Sequence, residues 1–301
     1  MSAVSLGTVA LAVDYGIAAP GDFGRPDERD AIALVRAALD AGITLIDTAP
    51  AYGASERIVG AVAGRDPRAI VATKVTVPAS TGLPAPAGVA TAVAASLESS
   101  LRTLRRDIVD VVQIHNATRE MIEDRRVTDA LLDVKRRGLA RVIGASVYGE
   151  DAALAVIASG EYGVLQIALN ALDQRMCERV LPAAAAAGVG IIVRSAFLKG
   201  ALTPKAQWLP EPLAPVRDAA RRARDVLADG SWERLPTAAL RFCLSVPDVA
   251  SVLVGARTRG ELIAAVDAER AGPLEPTRLA VASQLGLADD ALLNPSRWPI
   301  Q

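Results

Sequence analysis

The 301-residue chain sets 33 Lys and Arg against 34 Asp and Glu, and 51% of its residues are hydrophobic. That apolar supply excludes disorder as the main state, and a net charge of −1 argues against a surface built to hold nucleic acid or an anionic membrane. Two cysteines without CxxC spacing, Cys177 and Cys243, and a single histidine argue against a disulfide scaffold or a Cys- or His-rich metal centre, so no metal is expected.

Short β-branched apolar runs recur along the chain at Ser5–Ala10, Ile43–Asp47, Ala69–Lys74, Val109–His115, Arg141–Ser146, Val164–Ile167, Val189–Arg194 and Ser251–Gly255. They are mostly apolar on both faces, as strands are when helices cover one side and a barrel interior fills the other. Between them lie helical segments. Glu28–Ala41 carries Ile32, Val35, Ala38 and Leu39 on one stripe, with Asp27 as its cap and Gly42 as its stop. Val89–Leu104, Arg125–Arg137, Asp151–Ala158 and Cys177–Ala187 read the same way. From Thr203 to Gly230 the pattern changes, because Pro204, Pro210, Pro212 and Pro215 make a long loop ahead of another helix.

Eight strand–helix units in this length predict an α/β fold, a single (β/α)8 TIM barrel over residues 1–301. A long loop is expected at about 199–215 and a C-terminal tail at about 287–301, carrying Trp298. The competing doubly wound sheet would place a G-x-G-x-x-G turn after an early strand, and none is present. The first basic residue is Arg25, so no charged region precedes an apolar export signal. The longest apolar stretch, Leu181–Val193, holds Pro182 and two glycines and is too short to span a bilayer. A soluble cytoplasmic protein is expected, with its oligomeric state left open.

In such a barrel the chemistry lies at the carboxyl ends of the strands. Strand two ends at Asp47, with Tyr52 in the loop that follows; strand three ends at Lys74 and strand four at His115. Taken singly, each fits a structural role: a buried ion pair, a hydrogen-bonded histidine, a packed tyrosine. Four together at one rim point to a site. A phenol near pKa 10 is a reluctant acid; an adjacent ammonium, held by an aspartate, is expected to lower that value. Tyr52 then protonates a carbonyl oxygen that His115 orients. No side chain supplies hydride, so a nicotinamide cofactor is required.

The stretch from Gly42 through Asp47-Thr48-Ala49-Pro50-Ala51-Tyr52-Gly53-Ala54-Ser55-Glu56, with Lys74 and His115, resembles the signature and tetrad of the aldo-keto reductases. The likeness runs from Leu6-Gly7-Thr8 to about Val266. A bacterial subgroup is similar in its Asp14-Tyr15-Gly16-Ile17-Ala18, Gln166–Asn170 and Arg194–Gly200 elements. The resemblance implies a NADPH-linked, less often NADH-linked, carbonyl reductase without metal. It places Ser146 and Gln166 on the nicotinamide carboxamide, with Asn170 beside them, and Arg194 where relatives stack an aromatic ring. Gly7, Thr8, Ser195, Phe197, Leu198 and Gly200 complete the lining of the cofactor groove. Gly255 precedes a helix N-terminus suited to phosphate, and Arg257, with Arg259 as a second candidate, would read the 2′-phosphate. The chain departs from relatives at Val147 (often Asn), Gly255 (often Lys) and Ala264-Ala265 (often Glu-Asn).

Only 3% of residues are aromatic, too few for a steroid-type pocket, and with Arg194 and Asn170 nearby a polar or partly anionic small-molecule carbonyl is expected as the substrate. Trp208 is the candidate wall. Oxidation of a sugar or other alcohol with NAD is the second reading, and a cofactor-binding regulatory subunit with little turnover is the third.

Overall fold

A computed structural model describes residues 1–77 and 86–300. In chain order the elements are β1 (Val4–Gly7), α1 (Val9–Ala12), α2 (Glu28–Asp40), β2 (Leu45–Asp47), α3 (Ser55–Ala63), β3 (Ile70–Val75), α4 (Pro86–Leu104), β4 (Val109–Ala117), α5 (Arg119–Asp124), α6 (Arg126–Arg136), β5 (Ala140–Val147), α7 (Glu150–Ser159), β6 (Val164–Ala168), α8 (Val180–Ala187), β7 (Gly190–Arg194), α9 (Ala214–Ala228), α10 (Leu235–Ser245), β8 (Val249–Gly255), α11 (Arg259–Arg270), α12 (Pro276–Ala282) and α13 (Asp290–Leu293). The eight strands are parallel and close into a barrel in sequence order, β8 pairing β1. This is the (β/α)8 architecture expected from the alternation.

Several boundaries move for physical reasons. β1 stops at Gly7, and the run to Ala10 turns into the single turn α1. The helix expected from Cys177 begins at Val180 instead, because Pro182 is tolerated only in a first turn. The proline-rich loop after β7 is folded into three short 3-10 turns before α9 begins at Ala214. Asp27 does cap α2, its carboxylate accepting the Asp30 N–H at 2.8 Å.

Two apolar layers hold the barrel. The larger lies between strands and helices; the smaller fills the interior with Leu45, Ala72, Val111, Ile192 and Leu253. Side chains alternate along a strand, so two residues further on each inward position lies nearer the carboxyl end. From Leu45, Ala72, Val111, Val142, Val164 and Ile192, that step reaches Asp47, Lys74, Gln113, Gly144, Gln166 and Arg194. The interior therefore changes from hydrocarbon to polar within one layer, on the face where the loops are longest.

The C-terminal tail packs on this same face. Leu287 N–H bonds Leu172 O at 2.8 Å, Trp298 is buried with its indole N–H on Leu292 O at 3.0 Å, and Lys199 Nζ donates to Ile300 O at 3.3 Å. No helix among the described residues is long and apolar enough to cross a membrane.

Candidate active site

Asp47 ends β2 and Lys74 lies near the end of β3, and both side chains are almost wholly buried. Lys74 Nζ stands 2.5 Å from Asp47 Oδ1 and 3.1 Å from Thr48 O. The other carboxylate oxygen of Asp47 accepts Gln166 Nε2 at 2.9 Å and Gln113 Nε2 at 3.2 Å. Gln113 was not expected, although it has the same strand parity as His115 and so faces the same interior. Its Oε1 is buried without a partner. Ser146 donates its hydroxyl to Gln166 Oε1 at 3.2 Å, which puts the two expected carboxamide binders in contact.

Tyr52 is held over this layer by its loop. Thr8 Oγ1 donates to Asp47 O at 2.8 Å and meets Ser55 Oγ at 2.5 Å, while Ser55 Oγ meets Thr48 Oγ1 at 2.8 Å. Those three fully buried hydroxyls fix the start of α3 to the ends of β1 and β2. Gly53 takes φ +57, with Ala12 O only 3.2 Å from where a Cβ would sit, so the turn that presents Tyr52 favours glycine twice over. The Tyr52 ring meets His115 edge to face, centroids 5.6 Å apart, and Lys74 Nζ lies 4.9 Å from the Tyr52 centroid.

The electrostatics correct one expectation. The Tyr52 pKa is raised above 10, not lowered: loss of water outweighs the pull of the Lys74 charge, and the Asp47 carboxylate pushes the same way as burial. Burial also works against the Lys74 ammonium, but the charge and hydrogen bond of Asp47 prevail and hold its pKa above the ordinary value. His115 is pushed down to about 4, first by burial and then by the Lys74 charge. At neutral pH the layer thus holds an ion pair, a protonated phenol and an uncharged imidazole.

Arg194, at the end of β7, crosses the mouth. Its guanidinium carbon lies 3.8 Å from the Tyr148 ring centroid, Nη2 donates to Val147 O at 2.8 Å and Nη1 to Ser195 Oγ at 3.3 Å. Tyr148 was not anticipated, and only its place directly after β5 signals it. The loop that follows is strained, since Ser195, Leu198 and Lys199 all have positive φ without being glycine. Within it Leu198 N–H bonds Ser195 O at 2.8 Å, and Gly200 N–H bonds Phe197 O at 2.9 Å. Leu198 is fully buried, its side chain packed into the apolar layer between strands and helices. Asn170 is spent on the backbone: its Oδ1 accepts from Leu172 and Asp173, and its Nδ2 donates to Ser195 O.

At the end of β8, Gly255 is exposed and pairs with Gly7 of β1. The α11 N-terminus is already satisfied in part. Thr258 and Glu261 form a reciprocal cap, and the Glu261 carboxylate takes the Arg257 N–H at 2.6 Å. Arg257 itself is committed, with Nη2 2.5 Å from Asp22 Oδ1 and Nη1 3.2 Å from Gly24 O. Asp22 also meets Lys205 of the β7 loop, at 3.2 Å. Arg259 is exposed, and among the described residues it has no such partner.

The residues present suit a nicotinamide dinucleotide: a buried serine–glutamine pair and an unbonded Gln113 Oε1 in one barrel layer, with strained backbone in the loop after β7. Residues 3–281 match the model of the aldo/keto reductase family. The chain is 30% identical to aldo-keto reductase YhdN of Bacillus subtilis, over 61% of this chain and 56% of that protein. It is 28% identical to L-galactose dehydrogenase of Arabidopsis thaliana over 98% and 96% of the two chains. The structure of aldo-keto reductase AKR11C1 from Bacillus halodurans (holo form) superposes with a TM-score of 0.77, at 26% identity, covering 98% of this chain and 95% of that one. A family match over most of the chain, joined to a closed eight-stranded barrel, makes this protein an oxidoreductase of the aldo/keto reductase family.

Proposed function

We propose that the protein reduces an aldehyde or ketone to an alcohol with NADPH, using Tyr52 as the general acid. The observation that carries this reading is the convergence of Tyr52, Lys74 and His115 on one point above the Asp47 carboxylate. When bound, the nicotinamide supplies the hydride. Ser146 and Gln166 would hold its carboxamide, and the Ser195–Gly200 loop and Gly255 would line the rest of its groove. The neutral His115 imidazole donates a hydrogen bond to the carbonyl oxygen and fixes its direction, and the Tyr52 O–H gives that oxygen its proton. The Lys74 ammonium, kept charged by Asp47, favours the phenolate left behind.

The name of the Arabidopsis relative, a sugar dehydrogenase, favours oxidation of a hydroxyl as the second reading. The raised Tyr52 pKa favours reduction only through occupancy: burial makes the phenol a weaker acid but keeps it protonated, the form that reduction needs and oxidation must first lose. Both directions use the same residues.

Tyr52→Phe tests the proposal. Turnover of an aldehyde panel, read at the nicotinamide absorbance, is expected to fall by about 10²- to 10⁴-fold, while NADPH still quenches protein fluorescence at the wild-type concentration. Wild-type turnover in that variant removes Tyr52 from the chemistry. If wild-type protein binds neither NADPH nor NADH, the reductase reading itself fails.

A further inference from the structure

Arg194 is a cation without a counter-ion. No carboxylate lies within ion-pair distance of it among the described residues, where 25 other pairs form. Its acceptors are a carbonyl and a hydroxyl, Val147 O and Ser195 Oγ, and its Nε is enclosed with no acceptor at all. Tyr148 covers one face of the guanidinium. Enclosing a charge in this way is costly unless something neutralises it. The comparison with Lys74 is direct: the same barrel layer supplies that cation with the Asp47 carboxylate and the Thr48 carbonyl but gives Arg194 no carboxylate. The uncompensated charge also acts on the reacting groups, pulling the Tyr52 and His115 pKa values downward.

We propose that the missing counter-ion is an acidic group of the substrate, and that Arg194 makes this enzyme selective for carbonyl compounds that carry a carboxylate. The inference rests on the reductase reading above and adds the substrate class to it. A planar guanidinium pinned at Val147 and Ser195 keeps one further N–H on each terminal nitrogen, a fork suited to a planar carboxylate. The other cations near this mouth are already taken, Lys74 by Asp47 and Arg257 by Asp22, while the Lys199 ammonium turns away to Ile300 O.

The experiment compares 4-oxobutanoate with 4-oxobutanamide, which differ in charge and little in shape, and adds glyceraldehyde 3-phosphate as a phosphate arm. Wild-type protein is expected to prefer the carboxylate over the amide in kcat/KM by about 10- to 100-fold, the range of a charge-assisted hydrogen bond. In Arg194→Gln that ratio collapses towards one, and Arg194→Lys restores part of it. Preference for the phosphate over the carboxylate, lost in the same variant, overturns the carboxylate assignment. A second readout needs no turnover: succinate binding to the protein with NADP, by calorimetry, is expected to weaken by a similar factor in Arg194→Gln. Equal kcat/KM for acid and amide in wild-type protein sinks this inference and leaves the reductase reading intact. So does an Arg194→Gln protein that loses NADPH affinity while its acid-to-amide ratio stays fixed, because the charge then serves the cofactor. If no carbonyl is turned over, the succinate measurement still decides whether Arg194 binds a carboxylate.

Discussion

Lys74 Nζ lies 2.5 Å from Asp47 Oδ1 with both side chains out of water, yet the two partners depend on each other unequally. Without Lys74, the Asp47 carboxylate keeps the amide N–H groups of Gln113 and Gln166. Without Asp47, the Lys74 ammonium keeps only the neutral Thr48 carbonyl and Tyr52 hydroxyl, and the Gln113 and Gln166 amides lose their acceptor. Removing one member of a buried pair costs about 3–5 kcal/mol because the other charge is stranded. Asp47→Leu is therefore expected in that range, and Lys74→Met at least about 1 kcal/mol below it, the difference of one net hydrogen bond. The double variant should recover part of the Asp47→Leu loss. Urea denaturation of the three proteins measures this, and equal, additive losses would refute the asymmetry.

The His115 imidazole gives stability a pH signature. Its folded pKa is depressed from the ordinary 6.5 to about 4, by burial first and the Lys74 charge second. Between those values the unfolded chain binds a proton that the folded chain refuses. The contribution is complete above pH 6.5 and is lost as pH falls towards 4, on the order of 3 kcal/mol in all. His115→Gln should flatten that part of the stability curve. The raised Tyr52 pKa predicts a second pH effect: reduction stays level from pH 6 to 9, and oxidation by the same protein climbs with pH as the phenol must first lose its proton. Reduction that declines above pH 7 would mean the acid is another group.

Cofactor choice turns on which arginine is free. Asp22, Gly24 O and Glu261 already occupy Arg257, whereas Arg259 stands exposed without a partner among the described residues. Arg259→Ala is expected to weaken NADPH by about tenfold, the worth of one charge-assisted contact, and to leave NADH unchanged. Arg257→Ala should weaken NADPH less. Asp22→Asn, which releases the Arg257 guanidinium, should tighten NADPH. Fluorescence titration with both cofactors reads all three, and a larger loss at Arg257 than at Arg259 reverses the assignment.

How far the sequence carries the fold follows from what each residue type records. The barrel is legible because the strands are mostly apolar on both faces, and the site is legible because three of those runs end on Asp47, Lys74 and His115. Gln113 was also within reach, two residues before the histidine on the same parity. The sign of the Tyr52 shift was not, since it depends on how much water burial removes, and that depends on the whole mouth. Nor was the commitment of Arg257, whose partner Asp22 is 235 residues away in the chain. Pairings over such separations are set by how loops meet on the finished barrel.

Helix α3 is not among the segments read as helical from the sequence, although Ile58, Val59 and Ala63 lie on one face at helical spacing, and it anchors the tyrosine loop. Gly60 and Gly64 let it press against the end of α4, so closely that a Cβ on Gly60 would stand 2.5 Å from Thr103 O and 2.9 Å from the Leu104 backbone. Neither contact is with a flexible tip, so α3 must shift if Gly60 gains a side chain. Its first residues then move too: Ser55 holds Thr8 and Thr48, and Glu56 accepts the Thr73 hydroxyl at 2.6 Å. Gly60→Ala is expected to cost about 1–3 kcal/mol by overpacking and, through that movement, to lower kcat with little change in NADPH affinity. Gly286→Ala is the control, because its Cβ would meet only ordinary contacts near 3.8 Å at Gln174. If Gly60→Ala loses stability while kcat holds, α3 is a support for the barrel alone, and the Tyr52 loop is positioned by β1 and β2 without it.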